Sequence, residues 1–147
     1  MIKKIYVDNF RCLVNFHLDL SASQLWLGDN GTGKSSVVNL LGKVQRVLDG
    51  ESVGGIFSPD DLTLWLTSDV QTIRITATVE QEQYDYELQV QCDRRQRLCR
   101  IQKEELKWND RTFYLFDREE AHLFRINRYS QQVEEGTQFS ADWGRSV

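Results

Sequence analysis

Nine consecutive residues carry most of the chemistry legible in this chain: Gly28-Asp29-Asn30-Gly31-Thr32-Gly33-Lys34-Ser35-Ser36. They satisfy G-x-x-x-x-G-K-[ST] at every fixed position, the spacing that holds a polyphosphate. An anion of that charge needs several donors converging on it. Glycines at 28, 31 and 33 let the backbone turn so that the N–H groups of the loop, Asn30 and Thr32 included, point inward. A helix starting at Lys34 adds unsatisfied N–H groups and a partial positive charge. Lys34 brings a full charge to the β- and γ-phosphates. The Ser35 hydroxyl is the one metal ligand expected, for Mg²⁺, and Ser36 is expected near the α-phosphate. The ligand expected is therefore a nucleoside triphosphate with Mg²⁺; these residues alone do not choose ATP over GTP.

The loop requires a strand before it and a helix after it. Gln24 to Leu27 reads as the strand. Lys34 to Leu48 reads as the helix, with Val37, Leu40, Leu41, Val44 and Leu48 along one face and Gly42 as a mild weakness. Asp49-Gly50 ends it. Upstream, Ile2 to Asn9 reads as a strand, Asn9-Phe10-Arg11-Cys12 interrupts it, and Leu13 to Leu20 reads as a second strand with apolar residues at even positions.

Residues 50–71 form an irregular connection in which Ser58-Pro59-Asp60-Asp61 reads as a turn or helix start. From Thr72 the period changes to two. Ile73, Ile75, Ala77 and Val79 form one row, and Tyr84, Tyr86, Leu88, Val90 and Cys92 the next. Arg97 to Leu106, Thr112 to Phe116 and Leu123 to Ile126 follow as strands. Connections of a few residues make neighbouring strands antiparallel, so 72–126 reads as a β-meander. Residues 127–147 are polar, with Trp143 isolated, and are expected to be partly loose. The whole is expected to be a single α/β (α+β) lobe: strands, loop and helix over 1–49, the connection, the meander and the tail.

With 147 residues and a net charge of −4, the chain suits one globular domain and gives no general electrostatic reason to bind nucleic acid. No apolar run reaches the roughly 18 residues of a membrane span, and no membrane association is expected. The three cysteines lack a C-x-x-C pair, so neither a disulfide framework nor a zinc site is indicated. Free thiols and a reducing, cytoplasmic compartment are expected. Cys92 and Cys99 flank a hairpin turn and are possible cross-strand neighbours. Arg94-Arg95-Gln96-Arg97 reads as a solvated hairpin tip, and His17 and His122 lack partners at metal-ligand spacing. The aromatic set Tyr84, Tyr86, Phe113, Tyr114 and Phe116 reads as core rather than as a base-stacking platform.

The N-terminal third resembles the start of RecF/SMC-type ABC ATPases, including OLD-like and related AAA-annotated proteins. The resemblance rests on Ile5 to Arg11, with Asn9-Phe10-Arg11 as its triplet, then on Phe16 to Leu20, then on the loop. It covers roughly residues 1–48. It implies that Arg11 lies near the nucleotide; as a bare residue it reads equally as a surface arginine. It implies ATP as ligand and a role at DNA through a parent assembly. It also implies partners: a C-terminal lobe or second head bearing the signature motif and the Asp-Glu strand, with nucleotide-driven homodimerisation possible. Neither motif is found here, so no catalytic residue is assigned and hydrolysis by this chain alone is expected to be near background.

Two other readings compete. Phe113-Tyr114-Leu115-Phe116-Asp117 has the shape of a strand whose Asp117 holds Mg²⁺, with Glu119 and Glu120 just beyond, which would make a complete small NTPase. Such a strand runs parallel to the one before the loop and needs crossover helices, which the sequence does not supply. The last reading is a non-catalytic module that uses nucleotide to hold a partner.

Overall fold

In the computed structural model, residues 1–117, 120–126 and 133–140 are described. Their eight strands form one antiparallel sheet. In chain order these are β1 (Ile2–Asp8), β2 (Phe16–Asp19), α1 (Lys34–Leu48), α2 (Val53–Ile56), a 3₁₀ turn (Pro59–Asp61), β3 (Val70–Val79), β4 (Glu82–Asp93), β5 (Leu98–Trp108), β6 (Arg111–Asp117), β7 (Glu120–Ile126) and β8 (Val133–Ser140). The spatial order is β2-β1-β3-β4-β5-β6-β7-β8, so the meander expected from the period of two runs on from β3 to β8.

The period of two separates the faces of the sheet. Ile5 and Val7 of β1, Ile73 of β3, and Leu88, Val90 and Cys92 of β4 lie on one face, all buried. Val37, Leu40 and Val44 of α1, with Val53 and Ile56 of α2, belong to the same cluster. Each such side chain stabilises the fold by about 1.5–3 kcal/mol when fully buried. The opposite face is polar. There Arg74 meets Glu87 at 2.8 Å, and Lys103 meets Glu105 at 2.9 Å and Glu87 at 3.4 Å.

Two hairpin turns are built without glycine. Glu80 and Gln81 join β3 to β4, and Asn109 and Asp110 join β5 to β6, all four at positive φ. That is the conformation that matches the twist of a two-residue hairpin.

Four expectations need correction. Gln24 to Leu27 is not a strand: no ladder forms there, and Leu25 and Leu27 are 79% and 84% exposed. The apolar pattern is present, but among the described residues no strand lies beside it to accept its backbone bonds. β2 begins at Phe16 rather than Leu13, because Phe10 and Leu13 close a bridge on each other instead. β8 replaces part of the loose tail, pairing with β7 from Ile126↔Val133 to Glu120↔Ser140. Residues 127–132 and 141–147, Trp143 among them, lie outside the described residues, as does Glu119.

The fourth correction concerns the cysteines. Cys92 and Cys99 are directly opposed across β4 and β5 and form a disulfide with Cα atoms 4.1 Å apart. Cys12 stays a free, exposed thiol. Among the described residues no helix is long and apolar enough to cross a membrane.

Candidate functional site

α1 ends as its sequence requires. Gly50 sits at φ 91°, and its N–H donates to the carbonyl of Val47. At the other end Gly33 caps the helix at φ 93°, and no side chain caps the first turn. The N–H of Val37 is satisfied by the carbonyl of Gly33 at 3.0 Å. The N–H groups of the preceding turn have no such intrahelical partner, which is the donor set an anion needs.

The glycines have separate reasons. Gly31 turns at φ 88° in open space. Gly33 turns where a Cβ would stand 3.1 Å from Leu13 Cδ2 and 3.2 Å from Cys12 Sγ. The turn after β1 therefore presses on the loop. It is closed by reciprocal bonds between Phe10 and Leu13, at 3.1 and 2.8 Å. Cys12 Sγ also lies 3.6 Å from Ser36 Oγ.

Lys34 folds back over the loop. Its Nζ donates to the carbonyl of Gly28, to that of Asp29 at 2.7 Å and to Thr32 Oγ1 at 3.1 Å. These oxygens provide the coordination that phosphate oxygens would replace. Gly28 to Thr32 is exposed throughout, so the cradle is open to ligand. Beside it lies an open recess of about 500 Å³, lined by Trp26, Lys34, Ser35, Val38 and Asn39. The donor set, the lysine and the open approach fit a polyphosphate. Asn30, Ser35 and Ser36 stand in the same stretch, with Ser35 on the first turn of α1.

Arg11 takes an arrangement that the sequence did not foretell. It has a left-handed backbone at φ 53°. Its Nε and Nη2 donate to Asp61 Oδ1 at 3.2 and 3.1 Å. Asp61 is buried and also accepts from Lys43 Nζ at 2.8 Å. The available signal was Ser58-Pro59-Asp60-Asp61, which does form a 3₁₀ turn, with Ser58 N–H donating to Asp61 Oδ2. Nothing in that signal said the carboxylate would face inward. Trp26, Val38 and Asn39 were likewise not singled out as neighbours of the loop.

Asp117 does not join the site. β6 is antiparallel to β5 and β7, and β3, β4 and β5 separate it from β1. At roughly 4.8 Å per strand that is about 19 Å. Asp117 also stands opposite Lys103 in the β5–β6 register, on the polar face opposite α1. The complete-NTPase reading fails on this topology. At the hairpin tip Arg94 pairs with Asp69 at 2.9 Å and Arg97 with Asp60 at 2.7 Å, so carboxylates of the chain already hold these two cations. His17 packs against Tyr6 with the two rings tilted, and His122 faces Glu120; among the described residues no cluster suits a metal ion.

A loop of this design is the phosphate cradle of P-loop nucleotide-binding proteins. Comparison with protein-family models finds the AAA ATPase domain over residues 1–110. The chain belongs to that family, and its function is of the nucleotide-binding ATPase type. A search of curated proteins gave no match.

Proposed function

We propose that the chain is the nucleotide-binding lobe of a RecF/SMC-like, ABC-class ATPase, binding ATP-Mg²⁺ through Gly28–Ser36. Lys34 would leave its loop carbonyls for the β- and γ-phosphates. Ser35 would hold Mg²⁺, and the N–H groups of the loop would hold the remaining phosphate oxygens. Arg11 would add a cation from the turn that presses on Gly33. Bound Mg²⁺ would neutralise charge developing on the phosphates; no residue of this chain is assigned to activate water.

The observation that carries the need for a partner is the exposed approach to the loop. Leu25 and Leu27 present 79% and 84% of their surface, and Val38 on the outer side of α1 presents 62%. The indole N–H of Trp26 is buried without a hydrogen-bond partner. Buried donors are normally satisfied. A strand laid beside 24–27 would pair with the backbone of that segment and bring apolar side chains to the exposed leucines, and it is where a second lobe carrying the Asp-Glu pair would sit. Any role at DNA would then run through that assembly, in keeping with the chain's acidity and its paired arginines.

The test is hydrolysis. The chain alone should release phosphate at background. Adding a polypeptide that bears the signature motif and the Asp-Glu strand should restore turnover. Turnover by the chain alone at ordinary enzyme rates, about 1 s⁻¹ or more, would overturn the reading. Complex formation without hydrolysis would favour the non-catalytic module.

A further inference from the structure

Asp61 is the most heavily committed carboxylate among the described residues. Its side chain is only 6% exposed, and two cations from two different elements converge on it. Oδ1 takes Nε and Nη2 of Arg11; Oδ2 takes Lys43 Nζ from α1 and the N–H of Ser58. Its backbone carbonyl accepts the N–H of Arg11 at 2.7 Å and Gln71 Nε2 at 3.0 Å. Both the main chain and the side chain of Arg11 are thus fixed by one residue 50 positions away.

That fixation is not needed to hide Arg11, whose side chain remains 41% exposed. A guanidinium has five N–H donors, and Asp61 Oδ1 engages only two of them. The residue next to Arg11 is Cys12, whose thiol touches Ser36 and the space above Gly33. The group held by Asp61 therefore stands on the turn that abuts the first turn of α1. Lys43 lies on α1 itself, its Nζ also reaching the carbonyl of Ile56 and lying 5.2 Å from the centre of the Phe57 ring. The carboxylate thereby ties the arginine's placement to the helix that carries the loop.

We infer that Asp61 is a positioning residue for the nucleotide site: it fixes Arg11 on the turn that abuts the phosphate loop and locks that turn to α1 through Lys43. The inference rests on the proposed nucleotide role of the loop and of Arg11. Preorganising a long cationic side chain removes the entropy cost of ordering it when ligand arrives. Asp61 acts only through Arg11 and touches no ligand itself.

A double-mutant cycle separates this from simple structural support. Affinity for a fluorescent ATP analogue with Mg²⁺ is measured for the wild type, Asp61→Asn, Arg11→Ala and the double variant. Asp61→Asn should weaken binding about tenfold, the scale of one charge-assisted hydrogen bond. In the Arg11→Ala background it should cause no further loss. Equal losses in both backgrounds, or no loss in the wild-type background, would overturn the inference. Removing one partner from a buried ion pair is often strongly destabilising, so a surface variant guards the test. Arg11→Lys keeps the charge but replaces the planar fork that gives Oδ1 two donors with a single flexible ammonium, and should bind more weakly than the wild type. Wild-type affinity in Arg11→Lys would contradict the inference. Failure of the wild type itself to bind the analogue would instead remove the nucleotide reading on which the inference stands.

Discussion

The thiol of Cys12 lies 3.6 Å from the hydroxyl of Ser36, joining the turn after β1 to the first turn of α1 across 24 residues of sequence. That contact sets the turn carrying Asn9-Phe10-Arg11 against the helix that follows the glycine loop. The turn packs where a side chain on Gly33 would have to be, so neither segment can move far without the other.

Gly33→Ala should therefore be costly and Gly42→Ala helpful. The first adds a Cβ at φ 93° and within 3.2 Å of two side chains. Its expected cost is about 1–3 kcal/mol. The second adds a Cβ in open space within α1, for a gain of about 0.5–1 kcal/mol. Paired thermal melts check both; an unchanged melting temperature for Gly33→Ala would count against the packed turn.

Reduction should destabilise the β4–β5 hairpin. The disulfide closes a loop with a sequence separation of 7, and both cysteines are buried. Loop-closure entropy puts its contribution at about 2 kcal/mol. Melting with and without a dithiol reductant measures it. A Cys92→Ala/Cys99→Ala variant insensitive to reductant assigns the effect to this bond.

The polar face makes stability depend on acid. Burial alone would raise the Glu105 carboxyl, but donation from Lys103 and Thr112 and the nearby Lys107 charge outweigh it, leaving it below the usual carboxylate range. At Glu87 burial is likewise outweighed, by Arg74, Gln89 and Lys103. A carboxyl whose folded pKa is depressed contributes stability above its unfolded pKa and loses it as pH falls through the folded one. Denaturant midpoints should hold near neutrality and decline as pH drops below about 4.5. Glu105→Gln should flatten that decline.

Leu27→Lys should leave the isolated chain intact, because the side chain is already 84% exposed. Its effect on stability should stay within about 0.5 kcal/mol. It should nevertheless reduce the hydrolysis restored by a complementing lobe. Full complementation by Leu27→Lys would mean that the partner does not cover 24–27.

Local patterns carried most of the fold. The 3.6-residue period of α1 and the two-residue period from Thr72 each determine which side chains are buried, so both were legible. Leu48 departs from the pattern, standing 62% exposed while Val47 packs on the core, because α1 is ending there. Gln24 to Leu27 failed for a physical reason: a strand is a relation between two segments, and its apolar spacing cannot say whether a neighbour is present. The cysteines failed in reverse. Their cross-strand position was readable, but bonding depends on the register that places Cys92 directly opposite Cys99. At the site, Lys34 and the glycines were plain, because the motif is local. The hold of Asp61 on Arg11 spans 50 residues and follows only from how the 3₁₀ turn packs.

The central claim is that Gly28–Ser36 binds the phosphates of ATP. Its most direct test is titration of a fluorescent ATP analogue with Mg²⁺ into the wild type and Lys34→Ala, with unlabelled ATP and adenosine as competitors. Saturable binding should be displaced by ATP and not by adenosine, and Lys34→Ala should weaken it by about 10- to 100-fold, the scale of one lost charged hydrogen-bonding group. Binding that is indifferent to Lys34→Ala, or displaced equally by adenosine, would contradict it.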